Sequence, residues 1–517
     1  MKQLLLIHLM LLSTALVFSQ EKVDTLMMQR IKDEEKNNSQ ITTIAHNITD
    51  VCGSRLTNSP GYNRALDWIT ETLKDWGMVN AGREAWGEFG KGWNNENCYV
   101  AMKAPYYQPF IAYPAAWTKG TAKMIKAKVV VIKNLDSANI DKLGDTVKGK
   151  IVLIKSGYPA IKSAFNTQAI RHTDSSLIKM HDEHMYGRKE IEQVVPFLEK
   201  MYKTKLYLQS KGAVALLVST GGSRDGTVFV DGSPGYAKGY EASLPELIVA
   251  REHYLLLQRL MADNKPVELE INVQNKFYTN DLTGYNVVGE IAGTDPNLKS
   301  QVVMLGGHLD SWHSGTGATD NGAGCIATLE ALRILKALDI RPRRTIRIAL
   351  WGGEEQGLYG SFGYVKKHFG DPKDMVLKPE QKNISAYYNL DNGSGKIRGI
   401  FLQNNEAAKD IFKVWLEPFA GMGATTVAIN NSGSTDHISF DAVGIPGFEF
   451  IQDPLEYETR THHSNMDTYD HLAIDDLKQA AVIIAAFVYN TAMRDELLPR
   501  KPLPKPERFA FDFDFPL

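Results

Sequence analysis

The most restrictive feature of this sequence is an alternation of strand-like and helix-like segments that begins near Tyr285. The stretches "NVVGEIAG" and "QVVMLGGH" have the length and β-branched content of buried strands. Gly322 to Leu338 has apolar residues at helical spacing, and the strand-like "TIRIALWGGEE" follows it. Strands that alternate with helices build an α/β domain. The predicted fold is therefore α/β, with a mixed, largely parallel central sheet flanked by helices.

Residues 111–278 differ in character and are predicted to form a separate, strand-rich insertion. The stretches "AKVVVIKNLD", "KGKIVLIKSG" and "KGAVALLVSTGG" are short β-branched segments bounded by Lys, Gly and Asn, as is typical of strands. Between them, residues 162–209 are more charged and mostly helical in pattern. A chain of 517 residues exceeds the size at which one hydrophobic core keeps growing, so a second domain is expected.

The rest of the chain divides around this insertion. Residues 20–110 and 279–497 form the main α/β domain, and the tail 498–517 has four prolines before its aromatic end. The tail either packs on the body or trails from it. Residues 1–19 combine Lys2, an apolar segment too short for a membrane span and small residues near Ser19, which is typical of a secretory signal. We therefore expect no membrane span and a mature protein that is secreted or periplasmic.

Charge and cysteine content exclude several classes of partner and scaffold. The 58 basic and 60 acidic residues give a formal charge of -2, so neither nucleic acid nor an anionic membrane is expected as a partner. Three cysteines cannot pair fully. A bridge between Cys52 and Cys98 is left open, whereas Cys325 is predicted to be a buried small hydrophobe.

A homodimer is an open alternative to a monomer.

Histidines in the helical part of the insertion raise one competing metal site. His181 and His184, in "HDEH", have the spacing at which two side chains share a helix face, and His172 lies nearby. Two ligands without a third or fourth seldom hold a metal, and the surroundings are rich in Lys and Glu. A solvated helical insertion is therefore the favoured interpretation.

The stretch "GGHLDSWHSGTGATDNGAG" carries the first chemically informative residues of the main domain. His308 ends a strand and Asp320 precedes a helix, so both are expected at the carboxyl edge of the sheet, where α/β proteins bind their ligands. A second strand leads into Glu354 and Glu355, and a third delivers Asp391 to the same edge. Adjacent carboxylates repel each other unless a cation lies near them.

One further loop completes the predicted constellation. After the strand-like "GFEFIQ", the stretch "TRTHHSNMDTYDH" contributes two adjacent histidines. Two Zn²⁺ ions would each take one histidine and one acid and share a bridging carboxylate. The predicted ligands are His308, Asp320, Glu355, Asp391 and His463. Five unrelated loop residues are the alternative, which is disfavoured because each of them follows its own strand and lies beside glycine or small polar residues.

Five ordered motifs give the chain a family resemblance: "GGHLDSWHSGTGATDNGAG", "ALWGGEEQGLYGS", "YYNLDNGSG", "STDHISFDAVGIP" and "HHSNMDTYDHL". Together they resemble the M28 family of zinc aminopeptidases, in particular its exported branch similar to plasma glutamate carboxypeptidase. The resemblance covers most of the mature chain, and the insertion resembles a protease-associated (PA) domain. It implies the zinc-exopeptidase fold, two zinc ions per chain and a peptide or dipeptide substrate.

The resemblance also implies a role for each site residue. Asp320 would bridge the ions, with His308 and Asp391 on one and Glu355 and His463 on the other. Glu354 would be the general base. Asp310 would accept a hydrogen bond from the metal-bound imidazole. In this family the peptide bond after the bridging Asp, here Asp320–Asn321, is often cis.

Two choices depend on the family pattern alone. His463 is preferred to His462 because the family ligand directly precedes the Ser or Thr of "HSxxDT". Asp436 and His437, in "STDHISF", resemble the substrate-pocket segment, and the alternative is that they merely order their loop.

The predicted activity is removal of the amino-terminal residue from a peptide or dipeptide, by a water that both ions share and that Glu354 deprotonates. Cleavage of the carboxypeptidase or dipeptidase type is the alternative within the same class. Two other classes share the fold. A peptide-binding protein without catalysis is disfavoured because every ligand and the base are present. An acyl transferase similar to the zinc glutaminyl cyclases is disfavoured because both His308 and Asp391 are present.

Overall fold

A computed structural model describes residues 21–155, 157, 169–180, 188–433 and 435–516. The predicted signal at 1–19 and the pair His181 and His184 lie outside the described residues. The α-helices are α1 (Thr25–Asn38), α2 (Ile41–His46), α3 (Pro60–Asp75), α4 (Ser137–Leu143), α5 (Asp174–Ile178), α6 (Arg188–Ser210), α7 (Arg251–Ala262), α8 (Ala323–Ala337), α9 (Tyr359–His368), α10 (Lys409–Leu416), α11 (His437–Asp441) and α12 (Ile474–Met493).

Two eight-stranded sheets organise the described chain. The first, in spatial order, contains β1 (Val79–Glu88), β10 (Thr283–Ile291), β12 (Thr345–Trp351), β11 (Val302–His308), β15 (Ile384–Asn389), β18 (Gly447–Gln452), β16 (Ile397–Phe401) and β17 (Thr426–Ala428). Three central pairs are parallel: β12 with β11, β11 with β15, and β15 with β18. Three pairs are antiparallel: β1 with β10, β10 with β12, and β16 with β18. The predicted mixed α/β sheet is confirmed.

The second sheet belongs to the insertion. In spatial order it contains β3 (Gln108–Pro109), β2 (Gly92–Ala104), β9 (Glu268–Tyr278), β5 (Ile125–Ile132), β6 (Ile151–Ile154), β7 (Ala215–Val218), β8 (Glu246–Val249) and β4 (Ala112–Pro114). A short pair, β13 (Gly370–Asp371) with β14 (Val376–Leu377), lies apart from both sheets. The second sheet begins at β2, earlier than residue 111, because β2 pairs along its length with β9, the strand that closes the module.

Helices cover both faces of the first sheet. On one face, α8 and α12 pack against apolar side chains of β11 and β15 in a large core, which α1, α2 and α3 extend. On the other face, aromatic residues of α9 and α11 enclose Trp351 and Tyr387. Helix α3 begins where Ser59 accepts a hydrogen bond from the Tyr62 N–H at 3.1 Å and Pro60 occupies its first turn.

The thiols of the described chain are all free, so Cys52 and Cys98, whose pairing the sequence left open, form no bridge. Cys52 is buried in the core of the first domain, whereas Cys98 lies on β2 in the second sheet, with its thiol directed at the carbonyl oxygen of Ala112 at 3.4 Å. Cys325 is fully buried in α8, as predicted. Within the described ranges, no helix combines the length and apolar character needed to cross a bilayer.

Candidate metal centre

The carboxyl ends of four adjacent parallel strands bring the predicted residues together. His308 is the last residue of β11, Glu354 and Glu355 follow β12, and Asp391 follows β15. The loop after β18 carries His463 to the same edge. Because β12, β11, β15 and β18 are neighbours and run in the same direction, their register places all these side chains in one cavity.

Asp320 lies at the centre of this group. Its Oδ1 is 3.3 Å from His308 Nε2, and that nitrogen is also 3.3 Å from Asp391 Oδ1. Its Oδ2 is 3.2 Å from His463 Nε2, which lies 2.9 Å from Glu355 Oε2. The two oxygens of Asp320 therefore face two different histidine and acid pairs. The Asp320–Asn321 peptide bond is cis, as expected from the resemblance.

Close backbone approach explains the glycines around Asp320. A Cβ on Gly324 would lie 2.1 Å from the carbonyl oxygen of Leu390, and one on Gly306 would lie 1.8 Å from that of Ala349. Both distances are far below van der Waals contact, so only glycine fits at these positions. The glycine-rich stretch is what allows α8 to pack directly beside the strand that carries Asp391.

Buried carboxylates give the cavity an excess of negative charge. Burial raises the pKa of Glu354 well above its usual value, and the carboxylates of Asp391 and Asp436 add to the rise while His308 opposes it. Burial likewise raises the pKa of Glu355, to which Asp320 contributes. Although burial lowers it, these acids hold the pKa of His308 well above its usual value. The cavity is thus electrostatically suited to cations.

Three carboxylate oxygens that accept no hydrogen bond also indicate a cation site. Asp320 Oδ2, Glu355 Oε1 and Asp391 Oδ1 are buried and receive no hydrogen bond from the described part of the chain. Leaving such an atom unsatisfied is costly, and metal ligation is one way to satisfy it. Imidazole nitrogens and carboxylate oxygens are the donor set that zinc accepts, so these residues fit a zinc centre.

His462 and His463 differ in their distance from the other ligands. Their rings stack with centroids 3.7 Å apart, but His462 Nε2 is 3.8 Å from Asp320 Oδ2, against 3.2 Å for His463. His463 alone also approaches Glu355. Its backbone has a left-handed φ of 58°. The geometry favours His463, the residue chosen from the family pattern.

Asp310 contacts the imidazole through its backbone rather than its carboxylate. The His308 Nδ1 lies 3.0 Å from the carbonyl oxygen of Asp310 and 3.6 Å from its Oδ1. The carboxylate instead accepts hydrogen bonds from the Thr57 hydroxyl at 2.8 Å and from the N–H groups of Glu354 and Glu355 at 3.3 and 3.4 Å. Asp310 therefore fixes His308 and the Glu354 loop at once.

The residues just before Asp436, and not Asp436 and His437 themselves, line the cavity near the segment "STDHISF". Asp436 and His437 are both fully buried and are not among the cavity-lining residues. Ser432, Gly433 and Thr435 form the wall there. The reason is that α11 begins at His437 and turns its side chain toward Glu449, 3.6 Å away, instead of toward the cavity.

Three supporting residues received no role from the sequence. Asp467 accepts the N–H groups of Thr319 at 2.6 Å and Asp320 at 3.1 Å. Glu449 accepts the Asp391 N–H at 2.8 Å. Buried Arg55 donates to backbone carbonyls within the glycine-rich stretch, among them Leu309 at 2.7 Å and Thr316 at 2.6 Å. The charged Glu449 inside the apolar "GFEFIQ" and the acid of "HSNMDT", four residues after His463, were the available signals.

The insertion reaches the same cavity from the outside. The Val230 N–H donates to the carbonyl oxygen of His463 at 2.8 Å, and the Val228 N–H donates to Asn465 Oδ1 at 2.6 Å. Ile191 of α6 lines the cavity, which has a volume of about 520 Å³. The insertion thus closes over the metal centre without supplying a ligand to the predicted set.

Comparisons with known proteins agree with this architecture. The sequence profile of peptidase family M28 matches residues 286–488. Carboxypeptidase Q of Pongo abelii is 30% identical over 453 residues, which cover 88% of this chain and 85% of that protein.

Two solved structures have the same fold. The M28 peptidase precursor of Shewanella amazonensis superposes with a TM-score of 0.67 at 22% identity and covers 93% of this chain and 98% of its own. BSAP, a zinc aminopeptidase from Bacillus subtilis, gives 0.57 at 19% identity and covers 88% and 95%. Given this match along nearly the whole chain to a relative at 30% identity, the chain belongs to peptidase family M28 and is a metallopeptidase.

Proposed function

We propose that the chain is a di-zinc exopeptidase that removes the amino-terminal residue from peptides or dipeptides. The observation that carries the proposal is the arrangement around Asp320, whose two carboxylate oxygens face separate pairs of ligands. His308 and Asp391 would hold one ion, and His463 and Glu355 the other. Zinc is further supported by the similarity to BSAP, which is described as a zinc aminopeptidase.

Zinc bound by this set would lower the pKa of a coordinated water and polarise the carbonyl of the scissile bond. The five ligands leave two acids of the cavity unused, the largely exposed Glu458 and the buried Glu354. Of the two, Glu354 lies beside the ligands. Its Oε2 is 3.7 Å from His308 Nε2, at the rim of the ligand group. We assign it the general base, which accepts the proton of the attacking water and passes it to the leaving amine.

Asp310 and Thr57 position this base. Asp310 accepts the backbone N–H of Glu354, and the Thr57 hydroxyl lies 2.8 Å from the Asp310 carboxylate and 2.7 Å from Gln356 Oε1. These contacts fix the loop on which Glu354 stands before any substrate arrives. A fixed base loses no free energy to reorganisation during the reaction.

Charge favours the amino-terminal mode of cleavage. The cavity is lined by five acidic residues and, among its described lining residues, by no lysine or arginine. A free amino group would find compensating charge there, whereas a free carboxylate would have to rely on the metal centre or on histidine. Carboxypeptidase-type cleavage is the alternative, and the relationship to Carboxypeptidase Q is what supports it.

A panel of dipeptides tests the proposal and separates the two modes. The zinc-loaded protein is incubated with each dipeptide in free, amine-blocked and carboxylate-blocked form, with and without a chelator. We expect hydrolysis of the free dipeptide, retention of activity when the carboxylate is blocked, and loss when the amine is blocked or the metal removed. The reverse dependence on blocking would establish the carboxypeptidase mode. Absence of any hydrolysis would contradict the proposal.

We also propose that the protein is exported, to the periplasm or the outside of the cell. The proposal rests on the sequence of residues 1–19, with its basic start, short apolar segment and small residues at the expected cleavage site. Amino-terminal sequencing of the mature protein tests it. The expected first residue is Gln20, and a protein that keeps Met1 and remains in the cytoplasmic fraction would contradict the proposal.

A further inference from the structure

The tail after α12 joins the first domain to the insertion. Residues 502–507 are exposed, whereas Phe509, Phe515 and Pro516 are buried. Phe509 packs on the first domain, and Phe515 packs on the insertion. The tail therefore packs on the body instead of trailing from it.

The first anchor of the tail lies beside the loop of the proposed base. The ring of Phe509 stacks on that of Phe362 with centroids 4.3 Å apart and an interplanar angle of 6°. Phe509 also packs against Leu358 and Ile438. All three partners belong to the first domain, so this end of the tail moves with the sheet that carries the metal centre.

The second anchor lies in the insertion. The ring of Phe515 has its centroid 6.4 Å from that of Tyr202 on α6 and 5.7 Å from that of Tyr240. The Tyr202 hydroxyl donates to the carbonyl oxygen of Glu241 at 3.0 Å, which fixes its ring. Phe515 and Pro516 close one side of a groove of about 110 Å³, and every other described residue that lines this groove belongs to the insertion.

Ion pairs stiffen the tail between its two anchors. Arg508 pairs with Asp512 and with Asp514, each at 2.9 Å. Phe511 lies inside this paired segment and lines the cavity of the metal centre. Residues 508–516 are therefore called the strap, because they cross from one domain to the other along the rim of that cavity.

The helix that the strap contacts has two unequal halves. The carboxyl half of α6 packs into the core of the insertion, where Leu208 is fully buried. In the amino half, Ile191 lines the metal cavity, whereas Val194 and Phe197 are 49% and 59% exposed. Pro196 lies inside the helix and cannot donate a helical hydrogen bond, so α6 is weakened where the two halves meet.

The strap supports α6 on both sides of this weak point. Phe515 shares its groove with Leu198, which follows Pro196, and Phe511 lines the same cavity as Ile191, which precedes it. Because Phe509 anchors the strap on the first domain, these placements hold the amino half of α6 beside the metal cavity.

We propose that the strap holds α6 over the substrate cavity and thereby restricts the enzyme to short peptides. This inference rests on the proposed exopeptidase function and adds a limit on substrate length. A cavity of about 520 Å³ accommodates a dipeptide with α6 in place. A longer peptide needs the amino half of α6 to turn aside at Pro196, and release of the strap permits that motion.

The first test compares substrates of two lengths. A dipeptide and a decapeptide with the same two amino-terminal residues are assayed, and the decapeptide to dipeptide ratio of kcat/KM is measured. Phe515→Ala should raise this ratio about three- to tenfold, because loss of an aromatic contact shifts the equilibrium between closed and open forms by that order. Phe515→Leu should keep the ratio close to that of the wild type.

Hydrogen exchange measures the hold of the strap on α6 without any substrate. In Phe515→Ala, the amides of residues 191–198 should exchange faster than in the wild type, and those of residues 201–210 at the same rate. Leu503→Ala is the control, because it removes an apolar side chain of the same tail that is 58% exposed. It should change neither the exchange nor the ratio, and zinc content and melting temperature are recorded for every variant.

The two measurements separate failure of the strap from failure of the proposed function. Unchanged exchange of residues 191–198 in Phe515→Ala, or an unchanged ratio of kcat/KM, would overturn the role of the strap while exopeptidase activity stands. A zinc-loaded wild type that hydrolyses neither peptide would overturn the proposed function and the length limit with it.

Discussion

Two parts of the molecule form one cavity in different ways: the edge of the first sheet and the surface of the insertion that faces it. The sheet edge presents its ligands at the ends of adjacent parallel strands, so the backbone register fixes their positions. The insertion contributes Ile191 and backbone contacts from residues 228–230 to the His463 loop. Chemistry is therefore built on the rigid sheet, whereas the outer wall depends on packing between distant segments.

The largest effect is expected at the centre of the sheet edge. Asp320→Ala should release both zinc ions and abolish activity, because both proposed ligand pairs face this carboxylate. Metal content by atomic absorption and dipeptide hydrolysis measure the two effects. Asp470→Ala, an exposed acid in the loop that follows His463, is the control and should keep both ions. Two ions retained in Asp320→Ala would place the bridge elsewhere.

The second effect separates the base from the ligands on the same edge. Glu354→Gln preserves size but cannot accept a proton, so kcat should fall by about 10²- to 10⁴-fold while two zinc ions remain bound. Steady-state kinetics on the preferred dipeptide and metal analysis of the same sample provide the measurement. Turnover close to that of the wild type would refute the role of Glu354.

A third variant tests how much the insertion supports the sheet edge. Asn465→Ala removes the acceptor of the Val228 N–H and loosens the loop of His463, so affinity for one zinc ion should fall roughly 10- to 100-fold. Competition with a graded series of chelators measures that affinity. Asn97→Ala is the control, because its side-chain amide donates to the carbonyl oxygen of Asn272 in the pairing of β2 with β9. Equal affinity in the two variants would mean that the sheet alone positions His463.

The smallest effect on activity is expected from a substitution of Glu35, which lies far from the cavity. This substitution should change the stability of the protein alone. Burial and the neighbouring Glu330 raise the pKa of Glu35 from 4.5 to about 8. The folded state therefore holds a proton between these values that the unfolded state has lost, so stability declines as the pH rises through this window. Glu35→Gln should remove that decline and stabilise the protein by a few kcal/mol at pH 8, by thermal or urea unfolding.

Glu34→Gln provides the opposite control for this variant. Although burial raises it, hydrogen bonds from Arg333 and Asn38 lower the pKa of Glu34, so its charged form stabilises the fold above its unfolded pKa. This substitution should destabilise the protein at neutral pH. Equal slopes of stability against pH for the wild type and Glu35→Gln would contradict the assignment to Glu35.

The difference between the sheet edge and the outer wall of the cavity also explains which parts of the site could be predicted from the sequence. Strand periodicity and the residues after each strand were sufficient to predict that His308, Asp320, Glu355 and Asp391 would meet one of the two loop histidines, because parallel strands end at one edge. The choice of His463 over His462 came from the family pattern. The wall of the cavity left no such signal. Ile191 and Phe511 line the same cavity only because a helix of the insertion and the tail both reach it from distant parts of the chain, and such long-range placement has no sequence period.

Local contacts also decided details that residue types alone left open. Asp310 was expected to bind the imidazole through its carboxylate, yet its backbone carbonyl takes that place, since the carboxylate already accepts from Thr57 and the Glu354 loop. The cysteine count left a Cys52–Cys98 bridge open, and it does not form because the two residues belong to different cores. Both outcomes depend on geometry that composition does not contain.

The carboxylate of Asp467 has a consequence for how the protein handles its metals. It joins the loop of Asp320 to the loop of His463 by hydrogen bonds that require no ion. Small zinc domains, by contrast, obtain their folding free energy from the metal. Because the protein's own hydrogen bonds join these loops, we expect the ligand set to survive removal of zinc, and resupply of the metal to restore activity without refolding.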